Sequence, residues 1–149
     1  MRAILQRVLN ASVKVDDKTI GEIEKGLLVF LGVGDGDTEK DLKYIADKCI
    51  GLRIFSDEED KMNLSLTDVG GQMLVISQFT LYGDCRKGRR PSFTSSMEPV
   101  KAKEMYESFI KYVEETGIKT AHGEFGADMK VELINDGPVT LMLDSTKSF

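Results

Sequence analysis

The N-terminal third of the chain alternates apolar and polar residues with the two-residue period of half-buried β-strands. An uninterrupted apolar run follows at residues 27–31, between two glycines, and predicts a strand covered on both faces. Asp16-Asp17-Lys18 is typical of a turn and separates two of the alternating segments. The strands predicted in this third are residues 3–9, 12–15, 19–23 and 27–31.

Two later segments carry apolar residues at the three- and four-residue spacing of amphipathic helices. The first helix is predicted to begin after Thr38, which lies in capping-box spacing with Asp41, and to end at Gly51. The second is predicted to run from Pro99 to Gly117. The order of elements predicts a single mixed α/β domain over residues 1–149, in which helices cover a sheet. Further strands are predicted at residues 52–55, 73–81, 130–134 and 139–144.

The second predicted helix has a stripe of Met and aromatic residues on one face, including Tyr106. Such a stripe at helical spacing indicates core packing, so we assign it no functional role.

The predicted strand at residues 73–81 changes character at Ser77, where polar residues begin to interleave with apolar ones. Buried hydroxyl and amide groups need hydrogen-bond partners, so Ser77, Gln78 and Thr80 favour a strand end that opens into a polar pocket. An edge strand whose polar residues meet solvent is the alternative.

A short loop after this strand holds four basic residues within five positions: Arg86, Lys87, Arg89 and Arg90. These side chains suit the phosphate oxygens of a nucleic-acid backbone, and Tyr82 and Phe93 are nearby as stacking faces. The glycine spacing resembles the front half of a phosphate-binding P-loop, but two arginines replace its Lys-Ser/Thr, which argues against a nucleoside triphosphate site. A solvated basic loop is the structural alternative.

The segment Asn135-Asp136-Gly137-Pro138-Val139-Thr140 predicts a turn between the last two strands. Pro138 has no amide hydrogen, so a paired strand cannot begin there. The segment is either a simple chain reversal or a device that holds two carbonyl groups in a fixed direction.

The composition of the chain limits the kinds of binding and catalytic site that it can form. The net charge of −5 argues against broad, nonspecific nucleic-acid binding but allows a local basic patch. Two isolated cysteines and a single histidine, His122, offer no standard zinc site and little basis for a Ser-His-Asp or Cys-His triad. The acidic loop at residues 56–61 lacks the glycine and the last carboxylate of an EF-hand. We therefore expect no metal and no cofactor. The absence of a signal peptide or an apolar run of about 18 residues favours the cytoplasm, away from membranes.

Two segments, residues 77–81 and 135–140, resemble the signature motifs of the D-aminoacyl-tRNA deacylases, also called the D-tyrosyl-tRNA deacylase family, which are chiral proofreading enzymes of translation. The resemblance covers essentially the whole chain. Further matching segments occur in the family's order and spacing: residues 6–8, 52–55, 62–63, 89–93 and 123–129.

The resemblance implies a homodimer of barrel-like domains, with mixed or antiparallel sheets, two main helices and active sites at the subunit interface. Its members hydrolyse the ester between a D-amino acid, or glycine mischarged on tRNA(Ala), and the 3′ end of tRNA. In this family a cis Gly-Pro bond directs its carbonyls into the partner's pocket and excludes L side chains, a role that falls here on Gly137 and Pro138. The 2′-hydroxyl of the tRNA takes the place of a protein base.

Residue roles are carried over in the same way. The catalytic segment is Ser77, Gln78, Phe79 and Thr80, whose amides near Phe79 and Thr80 are expected to bind the ester carbonyl. Phe125 and Met129 resemble the wall around the terminal adenosine, and Arg7 is expected to brace the Gly-Pro segment. The basic loop is our own inference for the tRNA phosphates. The alternatives are a non-catalytic RNA-binding dimer and a hydrolase of unrelated small esters that uses Ser77.

Overall fold

The first strand, β1 (Arg2–Val15), is the centre of the sheet in the computed structural model, which describes all residues 1–149. Its C-terminal half pairs with β2 (Lys18–Ile23) and its N-terminal half with β3 (Gly26–Gly32), both antiparallel. The last strand, β8 (Lys130–Asp144), runs antiparallel along the other edge of β1 for nearly its full length. The prediction of two separate strands at residues 3–9 and 12–15 was therefore wrong. The polar interruption at residue 10 marks irregular pairing with β8, and the strand continues through it.

Three parallel strands complete the sheet. β3 pairs with β6 (Gln72–Ser77), and β6 pairs with β7 (Thr120–His122). β2 and β7 then approach each other, since a Cβ atom on Gly21 would lie 2.8 Å from the His122 carbonyl oxygen. The six strands thus form a mixed, nearly closed, barrel-like sheet, which confirms the predicted fold class.

Both predicted helices are present, as α1 (Glu39–Gly51) and α2 (Pro99–Glu115). The Thr38 N–H donates to Asp41 Oδ2 at 2.9 Å, so the capping interaction expected from the spacing forms. Apolar faces of both helices pack on one side of the sheet in the larger core cluster, which includes Cys49 and Phe109. A smaller cluster, which includes Val13 and Leu74, fills the other side.

The strand predicted at residues 52–55 is much shorter than expected. Only β4 (Phe55–Ser56) forms, and it pairs with β5 (Met62–Leu64) in a separate hairpin. The residues before it are used to end α1, because the Leu52 N–H donates to the Lys48 carbonyl at 3.0 Å. The acidic loop between the two strands is organised by Asp57, which accepts hydrogen bonds from the amides of Glu59 and Lys61.

The polar half of the predicted strand at residues 73–81 leaves the sheet. β6 ends at Ser77, and a 3₁₀ turn follows at Phe79–Tyr82. We call residues 78–82 the site turn. Since β6 lies between β3 and β7, it is not an edge strand, and the alternative based on an edge was wrong.

The segment predicted as a turn between two C-terminal strands is instead a bulge within the single strand β8. Asn135 pairs with Val8 and Thr140 with Gln6, so residues 136–139 lie opposite Arg7 alone. A proline is tolerated here because a bulged residue does not need to donate an amide hydrogen bond to the neighbouring strand. None of the helices is both long enough and apolar enough to cross a membrane.

Close packing between β3 and β6 leaves no space for a side chain at Gly26, where a Cβ atom would lie 1.8 Å from the Gln72 carbonyl oxygen. We predict that Gly26→Ala lowers the free energy of unfolding by about 3 kcal/mol or more, because the obstruction is backbone. Gly51→Ala is the matched control, since a Cβ atom at that position would have nothing within 4 Å. Urea denaturation should show the control unchanged or slightly stabilised. Equal effects of the two substitutions would contradict the packing argument.

Candidate active site

A pocket of about 630 Å³ opens where β3 and β6 end, beside the N-terminus of α2. Its lining is mostly apolar, with hydroxyl and amide groups from Ser77, Gln78, Thr94 and Ser96. The end of β6 does open into a pocket, but the pocket is mostly apolar and not polar as predicted. Five of the predicted site residues line it: Ser77, Gln78, Phe79, Phe125 and Met129.

The site turn is fixed to the sheet at its beginning. The Gln78 N–H donates to the Leu31 carbonyl at 2.8 Å, and the Leu81 N–H donates back to the Gln78 carbonyl at 3.2 Å. Leu81 is thus the first residue whose amide can bond within the turn, and the amides of Phe79 and Thr80 precede it without an acceptor there. Two neighbouring N–H groups of the turn therefore have no acceptor in the protein, and one of them belongs to Phe79, which lines the pocket.

Thr80 lies next to the pocket without lining it. The Gln78 Nε2 atom donates to the Thr80 hydroxyl, so the two side chains are held together.

Ser77 has no histidine partner. His122 is exposed on β7, where its Nδ1 atom lies 2.7 Å from the Gly123 carbonyl oxygen, and it does not line this pocket. A Ser-His arrangement is therefore not formed. The one carboxylate residue that lines the pocket, Glu98, accepts hydrogen bonds from the Val100 and Lys101 amides at 3.1 and 2.8 Å.

The wall opposite the site turn combines the loop before β8 with α2. Phe125 packs against Tyr106 with ring centroids 5.8 Å apart, and the Tyr106 hydroxyl donates to the Val75 carbonyl at 2.9 Å. Burial raises the pKa of Tyr106 above its ordinary value, so the phenol stays protonated. Ala102 and Tyr106 belong to the core and also line the pocket. Helical periodicity could not show this second role, because the same face of α2 contacts both the core and the pocket.

The Gly137–Pro138 segment lies away from the pocket of its own chain. The bond is cis, both residues are exposed, and neither they nor Arg7 line the pocket. Gly137 has a φ of +128°, and a Cβ atom there would lie 2.8 Å from a Val139 methyl group and 3.0 Å from Arg7 Nη2. Only glycine fits this backbone without strain.

Arg7 and Asn135 hold the bulge from both sides. Arg7, which is almost fully buried, donates from Nε to the Asp136 carbonyl at 3.1 Å and from Nη1 to the Ile54 carbonyl at 2.8 Å. Asn135 Nδ2 donates to the carbonyls of Arg7 and Val139 at 2.9 and 3.0 Å. Arg7 does contact the segment as expected, whereas no separate role was predicted for Asn135. The only signal in the sequence was its place as the first residue of the Asn-Asp-Gly-Pro segment.

An apolar strip leads from the pocket towards the bulge. Phe30, which lines the pocket, pairs with Ile4, and Ile4 pairs with Met142 on β8. Met142 is 60% exposed, and Ile134 beyond the bulge is 51% exposed. Large apolar side chains thus face solvent on the strand that carries Gly137 and Pro138.

The basic loop is closed by two backbone hydrogen bonds between Asp84 and Ser92, at 2.7 and 3.0 Å. Arg86 donates to both carboxylate oxygens of Asp84, at 2.9 and 2.7 Å, and these bonds lower the Asp84 pKa to about 2. Lys87, Arg89 and Arg90 are exposed and form no ion pair. Arg86 is therefore the least available of the four predicted cations.

The two predicted stacking faces differ in their surroundings. Phe93 lines the pocket and meets Phe79 edge to face, with ring centroids 5.1 Å apart. The ring of Tyr82 is covered by the Arg2 guanidinium at 4.6 Å. Only Phe93 is placed to meet a ligand in the pocket.

Comparison with known proteins finds the model of the family described as D-Tyr-tRNA(Tyr) deacylase, which matches residues 4–144. Proteins named D-aminoacyl-tRNA deacylase from Clostridium botulinum (strain Alaska E43 / Type E3) and Thermosipho africanus (strain TCF52B) are each 60% identical over 149 residues, covering 100% of both chains.

Two solved structures are also similar. One is titled "c-Myc DNA Unwinding Element Binding Protein", with a TM-score of 0.91, 38% identity and coverage of 97% of this chain and 98% of that chain. The other, titled as a probable eukaryotic D-amino acid tRNA deacylase, has a TM-score of 0.82 at 20% identity, covers 95% of this chain and 97% of that chain, and supports the fold alone.

Proposed function

Because the chain belongs to the D-Tyr-tRNA(Tyr) deacylase family, we propose that the pocket at the end of β6 binds and hydrolyses the ester of a D-aminoacyl-tRNA. The chain is an enzyme, a D-aminoacyl-tRNA deacylase, as its full-length relatives are named. The products are a free D-amino acid and a tRNA. The observation that carries the residue assignment is the pair of free amides at Phe79 and Thr80, beside a mostly apolar pocket.

The amides of Phe79 and Thr80 bind the ester carbonyl as it becomes an oxyanion. Backbone donors fixed before the reaction cost no reorganisation in the transition state, and one such donor contributes about 3 kcal/mol in well-studied acyl transfer. Gln78 orients the site by holding the Thr80 hydroxyl. Ser77 lies beside the same end of the strand and shapes the pocket.

Water attacks the ester carbonyl, and the 3′-oxygen of the terminal ribose leaves with a proton. The adjacent 2′-hydroxyl of the tRNA assists this step, since it lies next to the bond that breaks. An aminoacyl ester is reactive, so correct positioning supplies much of the required acceleration. Phe125 and Met129 form the wall against which the terminal adenosine rests.

The chirality filter comes from a second copy of the chain. In this homodimer the exposed apolar strip from Ile4 to Met142 is covered, and the bulge of each subunit inserts the carbonyls of Gly137 and Pro138 into the pocket of the other. A rigid obstruction is required, because contact with the substrate's side chain alone discriminates weakly between the D and L enantiomers. Arg7 and Asn135 supply the rigidity.

An L side chain would meet this obstruction, whereas a D side chain points away from it. Glycine has no side chain to reject, so glycyl-tRNA, including glycine mischarged on tRNA(Ala), is accepted. The exposed cations Lys87, Arg89 and Arg90 contact phosphates near the 3′ end of the tRNA, with Arg86 contributing less. We place the reaction in the cytoplasm, where aminoacyl-tRNAs are used.

Matched D- and L-tyrosyl-tRNAs provide the direct test. We expect ester loss from the D form at least about a hundredfold faster than from the L form, because only the L side chain meets the obstruction. Release of labelled amino acid is the measurement. Binding without ester loss would favour a non-catalytic RNA-binding dimer. Equal cleavage of both forms, or of free small esters, would favour a general esterase at Ser77.

Replacing Thr80 by Ala separates backbone from side-chain chemistry. We predict that Thr80→Ala keeps most of the activity, with kcat lowered less than about tenfold, because the proposed donors are amides. Single-turnover hydrolysis of D-tyrosyl-tRNA measures this. If activity disappears while the fold and tRNA binding survive, the hydroxyl is a reactant and our assignment is wrong. Thr67→Ala, in the turn before β6, is the control.

Neutralising the exposed cations of the basic loop tests the tRNA contact. We predict that the triple variant Lys87→Gln, Arg89→Gln, Arg90→Gln weakens tRNA binding and reduces the slope of log K against log salt by about 2. The control triple variant removes the same charge at other exposed sites: Lys18→Gln, Lys40→Gln and Lys119→Gln. Fluorescence anisotropy at several salt concentrations gives both slopes. Identical slopes would refute phosphate contacts by the loop.

A further inference from the structure

We propose that Arg2 is a positioning residue that holds the site turn in the orientation needed for deacylation; this inference rests on the proposed function of that turn. Arg2 lies on β1 directly opposite Gly32 and Asp144, at the end of the sheet from which the site turn emerges. Its position joins the turn to the first and last strands at once.

Arg2 makes the one side-chain hydrogen bond to the backbone of the site turn. Its Nη1 atom donates to the Leu81 carbonyl at 3.1 Å. In a 3₁₀ turn the carbonyls point along the axis in one direction and the amides in the other. Fixing the Leu81 carbonyl therefore fixes the axis along which the Phe79 and Thr80 amides are directed.

The guanidinium of Arg2 also covers the ring of Tyr82, at 4.6 Å from its centroid. The ring also lies against the chain just after β3, since a Cβ atom on Gly34 would be 2.6 Å from Tyr82 Cζ. Tyr82 thus contacts both the Arg2 cation and a stretch of backbone that has no side chain. Such a contact restrains the end of the turn as well as its carbonyl.

Asp144 holds Arg2 in place. Its Oδ2 atom accepts from Arg2 Nε at 3.3 Å, while Oδ1 accepts from the Thr146 N–H and hydroxyl at 2.8 and 2.7 Å. Burial opposes ionisation of Asp144, but the hydrogen bonds from Thr146 and Arg2 outweigh it and lower its pKa. Asp144 remains charged at neutral pH and fixes the guanidinium between strand and turn.

Gln78 shows why a second restraint is needed. The turn is anchored at its start by the bond from the Gln78 N–H to Leu31, and its other backbone bonds are internal or come from the next residue, Gly83. With only that anchor the turn could pivot about residue 78. The contact from Arg2 lies at the opposite end and removes this freedom.

The test separates positioning from stability. Arg2→Met leaves Asp144 buried without its cation, so this variant should lose both stability and kcat. In the double variant Arg2→Met, Asp144→Asn, the unpaired charge is gone and the melting temperature should recover. The bond to Leu81 remains absent, so kcat for D-tyrosyl-tRNA should stay about tenfold low, with KM within twofold of the original.

Two further variants complete the design. Asp144→Asn alone removes the carboxylate that holds Arg2 but keeps Arg2 itself, so its kcat should fall by less than that of the double variant. Arg53→Met is the control, since it makes the same substitution at an exposed arginine and should leave kcat and the melting temperature unchanged. If kcat returns with the melting temperature in the double variant, Arg2 acts only through stability and the inference is overturned.

Amide hydrogen exchange provides a readout that does not depend on catalysis. In the double variant the exchange rates of the Phe79 and Thr80 amides should change. The amides of Leu81 and Tyr82 should exchange at least about tenfold faster than in the original chain. Arg53→Met should show the original pattern. Unchanged exchange in the double variant would overturn the inference, whatever the activity of the original chain. A lack of deacylase activity in the original chain would count against the proposed function instead.

Discussion

Pairing between the first and last strands is the constraint on which the remaining structure depends. β1 supplies partners to β2, β3 and β8, and it also carries the two arginines that reach the functional segments. Arg2 contacts the site turn at one end of the strand, and Arg7 contacts the bulge near its middle. Loss of the pairing with β8 would therefore separate both segments from their supports.

The pocket contains few groups that could act as acids or bases. Ser77 has no histidine, and Tyr106 is kept protonated by burial. What the site turn and the bulge offer is backbone groups: two amides without acceptors in the turn, and the carbonyls of two exposed residues, Gly137 and Pro138, in the bulge. Backbone groups are held by the secondary structure around them, so their direction is more secure than that of a mobile side chain. For the proposed substrate, a reactive ester, catalysis by correct positioning is suitable because a strong nucleophile is unnecessary.

Several elements were predictable from local patterns, and others were not. The capping pair of Thr38 and Asp41 identified α1, and the continuous apolar run identified β3, because these signals depend only on neighbouring residues. The bulge was predicted as a turn since nothing near Pro138 indicates that Asn135 and Thr140 pair with the same distant strand. Likewise the pairing of Arg86 with Asp84 and the second role of Tyr106 depend on geometry that spacing does not encode. The roles of the site residues came from the family resemblance.

The contact between Arg7 and Asp136 joins residues 129 positions apart, and that between Gln6 and Thr140 joins residues 134 positions apart. Contacts of such long range are costly in chain entropy, because a long loop must close before they form. A chain that has folded only as far as β7 already contains the residues that line the pocket from β3, β6 and α2, but it has neither Gly137 nor Pro138 in place. Synthesis from the N-terminus also delivers Gly137 and Pro138 after β3, β6 and α2. The segment proposed to reject the wrong substrate is therefore made after most of the pocket, so under that proposal selectivity requires pairing of the last strand with the first.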